Sequence, residues 1–435
     1  MSNDDLQYGF QQGCSTLQCT WAVKETVSHY MQNGSNVFCC LLDFSKAFDL
    51  VNFKELFKKL INKKVPFILL RLLVYIYKNQ QCYVKWNSKK SDSFSIGNGV
   101  RQGAILSPCL FCIYLDTLLK DLRKSGLGCH IGDFYFGALG YADDVILMSP
   151  SRTSLQLMLN ICQKFAEKHS MVFSTNPDPS KSKTKCMLFS KDKNLTVPKM
   201  TLNGEKLPWV PKAKHLGNNL TVEVSKNKLG IDTSADLLQK RAIFFHKVHE
   251  LKQAYGGYSP KLVCEIIKIF GTSFYGSPLW SLKSDEHLKL NRAWNTVVKI
   301  VFDLPFQTHT RFIESLIEFP HLQSMLHGRY IGFTENLKNS KKSEIQVLFN
   351  YCMKNKQSNT GQNISYLMNA YKISELDDLF SEKFSIKNAR VYPLVESEGW
   401  KPKLIEELSL VKMGLLDNGF EDELVDDILT DICIK

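Results

Sequence analysis

Tyr141-Ala142-Asp143-Asp144 places two adjacent carboxylates between Phe134-Tyr135-Phe136 and Val145-Ile146-Leu147-Met148, two stretches that read as strands. Acidic groups at the tip of an apolar hairpin are costly unless a cation meets them. An Asp-Asp pair alone is ordinary turn chemistry, but two further segments stand upstream. Leu41-Leu42-Asp43-Phe44-Ser45-Lys46-Ala47-Phe48-Asp49 is again an apolar strand that ends in a carboxylate. Gly99-Val100-Arg101-Gln102-Gly103-Ala104-Ile105-Leu106-Ser107-Pro108 is a glycine-bounded turn opening into a helix. The ordered set is far more specific than any member, and the chemistry it suits is nucleotide polymerisation.

That chemistry makes definite demands. A primer 3′-hydroxyl attacks an α-phosphate in line, and negative charge accumulates on the attacking and leaving oxygens. Two hard divalent ions ~3.5–4 Å apart stabilise both oxygens at once. Mg²⁺ takes oxygen ligands and needs only one or two carboxylates beside water and phosphate. Asp43 and Asp143 supply such carboxylates from two neighbouring strands, with Asp144 assisting. Adjacent strand residues point to opposite faces, so Asp143 and Asp144 are not equivalent ligands. Ala142 is small, which suits the close approach of a primer backbone. Asp49, past the strand end, reads as a helix cap or a structural group.

The elements that must hold these residues follow from periodicity. Helices are expected from Phe53 to Lys64 and from Pro66 to Lys78, with proline in the first turn of the second. Short strands at Gln81–Trp86 and Ser93–Ile96 flank the basic turn Ser88-Lys89-Lys90. A helix spans Ser107 to Lys124. Another runs from about Ser151 to Lys168, with Leu155, Met158, Leu159, Cys162, Phe165 and Ala166 as its core stripe. Strands follow at Met171–Ser174, Lys185–Ser190 and Met200–Leu202. The resulting strand–helix–strand–strand–helix–strand order fits a split βαβ arrangement with a mostly antiparallel sheet under the carboxylates. Residues 223–233 read as a polar linker, and helices dominate from Ala235 to about Ile317. Lys240, Arg241, Lys247, Lys252, Lys261 and Lys268 are available there for a nucleic-acid duplex. Asn336–Ser343 and Lys354–Thr360 read as loose polar stretches.

Composition sets outer bounds. The 435 residues suit about three domains, and an apolar content of 44% is ample for sizeable cores. No signal peptide or membrane span is legible; the best apolar stretch, Val65 to Tyr77, is short and broken by Arg71. The 13 cysteines are scattered, which fits reduced intracellular thiols rather than a disulfide framework. Cys109-Leu110-Phe111-Cys112 has no second CxxC to complete a zinc site and reads as core. His246-x-x-His249-Glu250 reads as a solvated helix face. The net charge of +12 suits polyanion binding, where phosphate contacts give salt-dependent affinity.

Together these segments resemble the reverse transcriptases of LINE-type (non-LTR) retrotransposons. Gly9-Phe10-Gln11-Gln12-Gly13-Cys14-Ser15-Thr16 resembles the stretch before the first catalytic aspartate, and the Asp43, Gln102-Gly103 and Asp143-Asp144 segments match the three that follow. Asn176-Pro177-Asp178-Pro179-Ser180-Lys181-Ser182-Lys183-Thr184-Lys185 matches the lysine-bearing motif after them, and His215-Leu216-Gly217-Asn218-Asn219-Leu220 the primer grip. Trp294-Asn295 and Leu304-Pro305 extend the likeness into the thumb, over roughly residues 6–320.

The resemblance implies an α+β right-hand polymerase with a ferredoxin-like palm, partial fingers and a helical thumb. It divides the chain into partial fingers at 1–35, a palm at 36–222 with a fingers insertion at about 61–98, a thumb at 235–330 and a mostly helical region of unclear role at 331–435. The implied activity is RNA-directed DNA polymerisation with two Mg²⁺ ions, or Mn²⁺, on an RNA template, a DNA primer and deoxynucleoside triphosphates. Asp43 and Asp143 are the implied direct metal ligands and Asp144 the auxiliary one. Phe48 stands where a bulky ring excludes a ribose 2′-hydroxyl, and Ala47, Arg101, Gln102 and Gly103 border the incoming nucleotide. Lys183 aligns with the residue that protonates pyrophosphate, with Lys181 and Lys185 two residues away on either side. Leu216 and Gly217 fall in the primer grip. Gln11, Gln12 and Cys14 stand where the family carries arginine or lysine, and the family has more fingers sequence before Gly9. The chain therefore reads as N-terminally truncated, with impaired catalysis expected; the alternative is a weakly catalytic nucleic-acid-binding remnant.

Overall fold

A computed structural model of the chain describes residues 4–192, 195–222, 231–308 and 321–388. The described chain falls into two compact units, one built mainly of residues 1–216 and the other mainly of 233–339 and the segment after 350.

The first unit opens with helix α1 (Thr16–Gln32), whose N-terminus is capped by Ser15 accepting from the Gln18 amide. Strand β1 (Val37–Leu42) follows, then α2 (Phe53–Asn62), α3 (Phe67–Lys78) and α4 (Ser107–Lys124). Strands β2 (Ala138–Tyr141) and β3 (Asp144–Ser149) form a hairpin, α5 (Arg152–His169) crosses back, and β4 (Lys185–Phe189) completes the sheet. The strand order is β4-β1-β3-β2 and every neighbouring pair is antiparallel. That is a split βαβ (ferredoxin-like) arrangement, with α2 and α3 inserted between β1 and α4. Successive residues Cys39, Cys40, Ile146, Leu147 and Met148 are all buried. Since neighbouring strand residues face opposite ways, both faces of the sheet are covered. Helices α1, α4 and α5 all pack against it.

Several expected boundaries shift for local reasons. Phe134–Tyr135 does not lead into the carboxylate turn; it pairs with His130–Ile131 around Gly132-Asp133, a hairpin of its own. The strand that leads into the carboxylate turn is β2, because the two-residue Ala142-Asp143 loop pairs Tyr141 with Asp144 at the start of β3. Met171–Ser174 is not a strand. It makes one isolated bridge, Phe173 to Phe44, and braces the chain beyond β1 through Ser45 N–H to Val172 O and Ser174 N–H to Asp43 O, both 2.8 Å. Pro66 precedes α3 rather than sitting in its first turn. The region from Gln81 to Ile96 is two short paired ladders, Gln81–Cys82 with Phe94–Ser95 and Lys85–Trp86 with Lys89–Lys90.

The second unit is helical: α6 (Ser234–Tyr255), α7 (Pro260–Gly271), α8 (Asp285–Val301) and α9 (Leu322–Lys338), followed by shorter helices. Phe244, Trp280, Trp294, Phe302 and Leu326 share its core. The indole of Trp280 donates to Asp236 at 2.9 Å, which satisfies both buried groups. Asn336–Lys338 is helical rather than loose, since α9 runs on to Lys338. Residues 223–230 of the expected linker and the end of the helical stretch at Ile317 lie outside the described residues.

Candidate active site

The β2–β3 hairpin positions one half of the site. Tyr141 and Asp144 are its last paired residues, leaving Ala142 and Asp143 as the loop. Ala142 takes a left-handed φ of 56°. Asp143 is half-buried and Asp144, first residue of β3, is exposed. Strand β1 positions the other half. Its final pair is Leu42 with Val145, so Asp43 emerges one residue further, beside Asp144.

Asp43 is held by its backbone. Its N–H donates to the Thr184 hydroxyl at 3.3 Å, and its carbonyl accepts from Ser174. Its Oδ2 is buried with no hydrogen-bond partner, and the Lys183 ammonium stands 3.7 Å from it. Burial raises the Asp43 pKa; Lys183 opposes this and the Asp143 charge adds to it. Asp144 is pushed up to about 6, first by withdrawal from water and then by the Asp143 and Asp43 charges, with Lys183 acting against them. Carboxylates that repel one another, with an oxygen left unbonded, suit a cation better than they suit each other. Among the described residues no group of three or more His, Cys, Asp or Glu is placed to hold a metal ion by itself. A hard divalent ion held here would take one or two carboxylates and its remaining oxygens from water or phosphate.

Of the three lysines in the later motif, Lys183 is the one that reaches the carboxylates. Lys181 lies 3.9 Å from Asp178, and Lys185 sits within β4 opposite Leu41. Thr184, read in sequence only as part of the lysine-bearing motif, is fully buried, and its pairing with Asp43 crosses 141 positions of chain.

The glycine-bounded turn lies against the segment after Asp43. Val100 N–H donates to Phe48 O and Gly99 N–H to Val51 O, both at 2.8 Å. A Cβ on Gly99 would stand 2.9 Å from Asp49 O, so this position admits only glycine. Gly103 differs: its φ of 82° calls for glycine, and the space around it is open. Gln102 is exposed and donates to Asp49 Oδ1 at 3.3 Å. Asp49 thus serves Gln102, while Asn52 caps α2 by accepting from Glu55 N–H. Arg101 donates to Gln80 at 3.0 Å. Ala47 is buried, and Phe48 is half-buried and stacks on Phe111 with centroids 5.0 Å apart.

Lys212–His215 and Asn218–Thr221 pair around Leu216-Gly217, whose φ values of 45° and 82° make a tight two-residue turn. Cys112 is buried and donates to Gly9 O, while Cys109 is exposed. His246 pairs with Glu250 on an exposed face of α6. The 12 cysteines among the described residues are thiols rather than disulfides. No helix among the described residues is long and apolar enough to cross a membrane.

The chain is 32% identical over 124 residues to the Retrovirus-related Pol polyprotein from type-1 retrotransposable element R2 of Nasonia vitripennis, which is 28% of this chain and 12% of that protein. It is 26% identical over 303 residues to the probable RNA-directed DNA polymerase from transposon X-element of Drosophila melanogaster, 68% of this chain and 31% of that protein. The chain thus spans about an eighth to a third of these relatives' length. Among solved structures, telomerase from Candida tropicalis aligns at a TM-score of 0.37 and 12% identity, covering 92% of this chain and 50% of that one. The sequence profile described as reverse transcriptase (RNA-dependent DNA polymerase) matches residues 1–220. With half of its length so matched, the chain belongs to the reverse transcriptase family, and its curated relatives are the polymerases of non-LTR retrotransposons.

Proposed function

We propose that the chain is the polymerase part of a non-LTR retrotransposon protein and copies RNA into DNA by two-metal nucleotidyl transfer. The observation that carries this reading is the convergence of Asp43 and Asp143-Asp144 at the ends of two paired strands, with a buried Asp43 oxygen left unbonded. In our division, residues 36–222 are the palm, about 61–98 a fingers insertion, 1–35 partial fingers and 235–330 the thumb.

Asp43 and Asp143 would hold divalent ions, Mg²⁺ or Mn²⁺, with Asp144 as an auxiliary. Such ions, when bound, stabilise the attacking 3′-oxygen and the leaving pyrophosphate oxygen together. Lys183, beside Asp43, donates the proton that the pyrophosphate takes as it leaves. Gln102 and Gly103 border the nucleotide and template, where the open space at Gly103 lets a ligand approach. Arg101 contacts phosphate. Phe48, braced by Phe111, fills the volume that a ribose 2′-hydroxyl would need and makes the site selective for deoxynucleotides. The Leu216-Gly217 turn supports the primer end. Basic residues of the helical unit, Lys240, Arg241 and Lys261 among them, supply the salt-dependent hold on the duplex.

The test is primer extension on an RNA template with Mg²⁺ or Mn²⁺, with Asp143→Asn as control. Extension that the control abolishes is expected. Salt-sensitive template-primer binding without extension by the unsubstituted chain would reduce it to a nucleic-acid-binding protein. Extension by the Asp143→Asn chain at the unsubstituted rate would remove the two-metal assignment.

A further inference from the structure

Gln7 lies outside every motif, yet its side chain ends on the carboxylate hairpin. The short stretch Leu6–Tyr8 runs parallel to β2: Gly140 N–H donates to Leu6 O at 2.8 Å, and Tyr8 N–H donates to Gly140 O at 2.7 Å. This added stretch carries the Gln7 amide to Ala142. Gln7 Oε1 accepts from Ala142 N–H at 2.9 Å and from Gly9 N–H at 2.8 Å, and Gln7 Nε2 stands 3.5 Å from Ala142 O. Two backbone donors can be met only by the amide oxygen, so the orientation of the amide is fixed. The residue is 1% exposed, and water does not replace it.

The residue so bracketed is the strained one. Ala142 has φ 56°, a region that alanine adopts only where its surroundings over-determine it. Its two peptide planes set the direction in which Asp143, the next residue, leaves the backbone. Gly9 adds a steric limit from the same side: a Cβ there would lie 2.4 Å from Ala142 N and 3.0 Å from the Tyr141 carbonyl carbon. Cys112 of α4 in turn holds Gly9 through its carbonyl.

We propose that Gln7 is a positioning residue for Asp143: its buried amide holds the Ala142 peptide in the left-handed conformation and so fixes where the Asp143 carboxylate stands. The role rests on the polymerase reading, but the clamp itself is a property of the hairpin and can be measured without activity.

The experiment compares the unsubstituted chain with Gln7→Leu, Gly9→Ala and the double variant Gln7→Leu/Ala142→Gly. Single-nucleotide incorporation, template-primer affinity and Mg²⁺ dependence are measured, together with hydrogen exchange of the Ala142 amide. In Gln7→Leu the rate constant for incorporation should fall about tenfold to hundredfold, the effect of one lost buried hydrogen-bond partner. The half-saturating Mg²⁺ concentration should rise, with template-primer affinity within about twofold of the original. Gly9→Ala, which keeps Gln7 but displaces the same peptide, should act in the same direction. Glycine takes the left-handed region freely, so Ala142→Gly should restore part of the activity lost in Gln7→Leu. Exchange at Ala142 should quicken at least tenfold in Gln7→Leu. An unchanged incorporation rate in Gln7→Leu overturns the proposal. So does a loss shared equally with template-primer affinity and not relieved by Ala142→Gly, which would make Gln7 a support of the fold alone. If the unsubstituted chain extends no primer, the polymerase reading fails and exchange alone decides: quickened exchange in Gln7→Leu upholds the clamp, and unchanged exchange ends it.

Discussion

Lys183 brings its ammonium to 3.7 Å from Asp43 Oδ2, a buried oxygen that has no hydrogen bond. The side chain is otherwise 71% exposed, so the cation is tethered to the site at one end and free to meet a ligand. Lys183→Gln should therefore lower the incorporation rate about 10²-fold, the low end for loss of a general acid. Lys181→Gln and Lys185→Gln should stay near the original rate, because neither lysine is paired with the site carboxylates. Asp43→Asn and Asp143→Asn should abolish extension. Single-turnover incorporation on an RNA template separates these cases, and equal losses at all three lysines would refute the assignment of Lys183.

Asp144, raised to about 6, gives the site a pH dependence. Its carboxyl carries a proton below that value, and metal binding requires the ionised form. The Mg²⁺ concentration needed for half-maximal extension should therefore rise as pH falls from 7 through 6. The linkage to stability has the opposite sense. A carboxyl whose folded pKa lies above its unfolded value favours the folded state most at low pH, and that contribution is lost as pH rises through about 6. Without metal, Asp144→Asn should therefore stabilise the chain at neutral pH, by no more than about 1 kcal/mol given its exposure. It should also extend primers more slowly, though less so than Asp143→Asn. Thermal melts at pH 5 and 7.5 check the sign.

Phe48 is half-buried and stacks on Phe111, and in the proposed reading its ring fills the volume a ribose 2′-hydroxyl would need. Phe48→Val should raise ribonucleotide incorporation relative to deoxynucleotide by about tenfold or more. The lost packing should cost roughly 1–3 kcal/mol of stability, in line with partial truncation of a core aromatic. The ratio of the two incorporation efficiencies is the readout, and an unchanged ratio would leave Phe48 as packing alone.

Three histidines of the helical unit make its stability acid-sensitive. His287 and His327 are fully buried with near-parallel rings 6.3 Å apart, and His327 meets the Tyr371 hydroxyl at 2.9 Å. Burial lowers His287 and His321 to about 4 each; His327 is lowered by burial and further by its two histidine neighbours. With folded pKa values below the unfolded 6.5, their contribution is fully present above pH 6.5 and is lost as pH falls toward 4. His287 alone should cost about 2 kcal/mol at pH 5. His287→Phe should flatten the fall of melting temperature between pH 7 and 5, and an unaltered slope would show that the acid sensitivity lies elsewhere.

The amino-acid order alone identified the carboxylates, because charge at the end of an apolar strand is a strong local signal, and it identified α4 and α5, whose apolar spacing repeats over five turns. The split βαβ order was legible for the same reason. Pairing was not. Phe134–Tyr135 has as much strand character as Ala138–Tyr141, and only the two-residue turn at Ala142-Asp143 decides which of them lies beside β3. Sequence singled out Lys183 over Lys181 and Lys185 only through its match to the family's lysine motif; which ammonium lies beside Asp43 was visible only in the tertiary structure. Gln7 was silent in sequence, and Thr184 was legible only as part of the lysine motif: each is a common polar residue whose hydrogen bond is made to a partner more than a hundred positions away. Local periodicity reports which face of an element is apolar; it carries no information on which distant backbone amide a buried side chain will satisfy, and that is settled only when the sheet assembles.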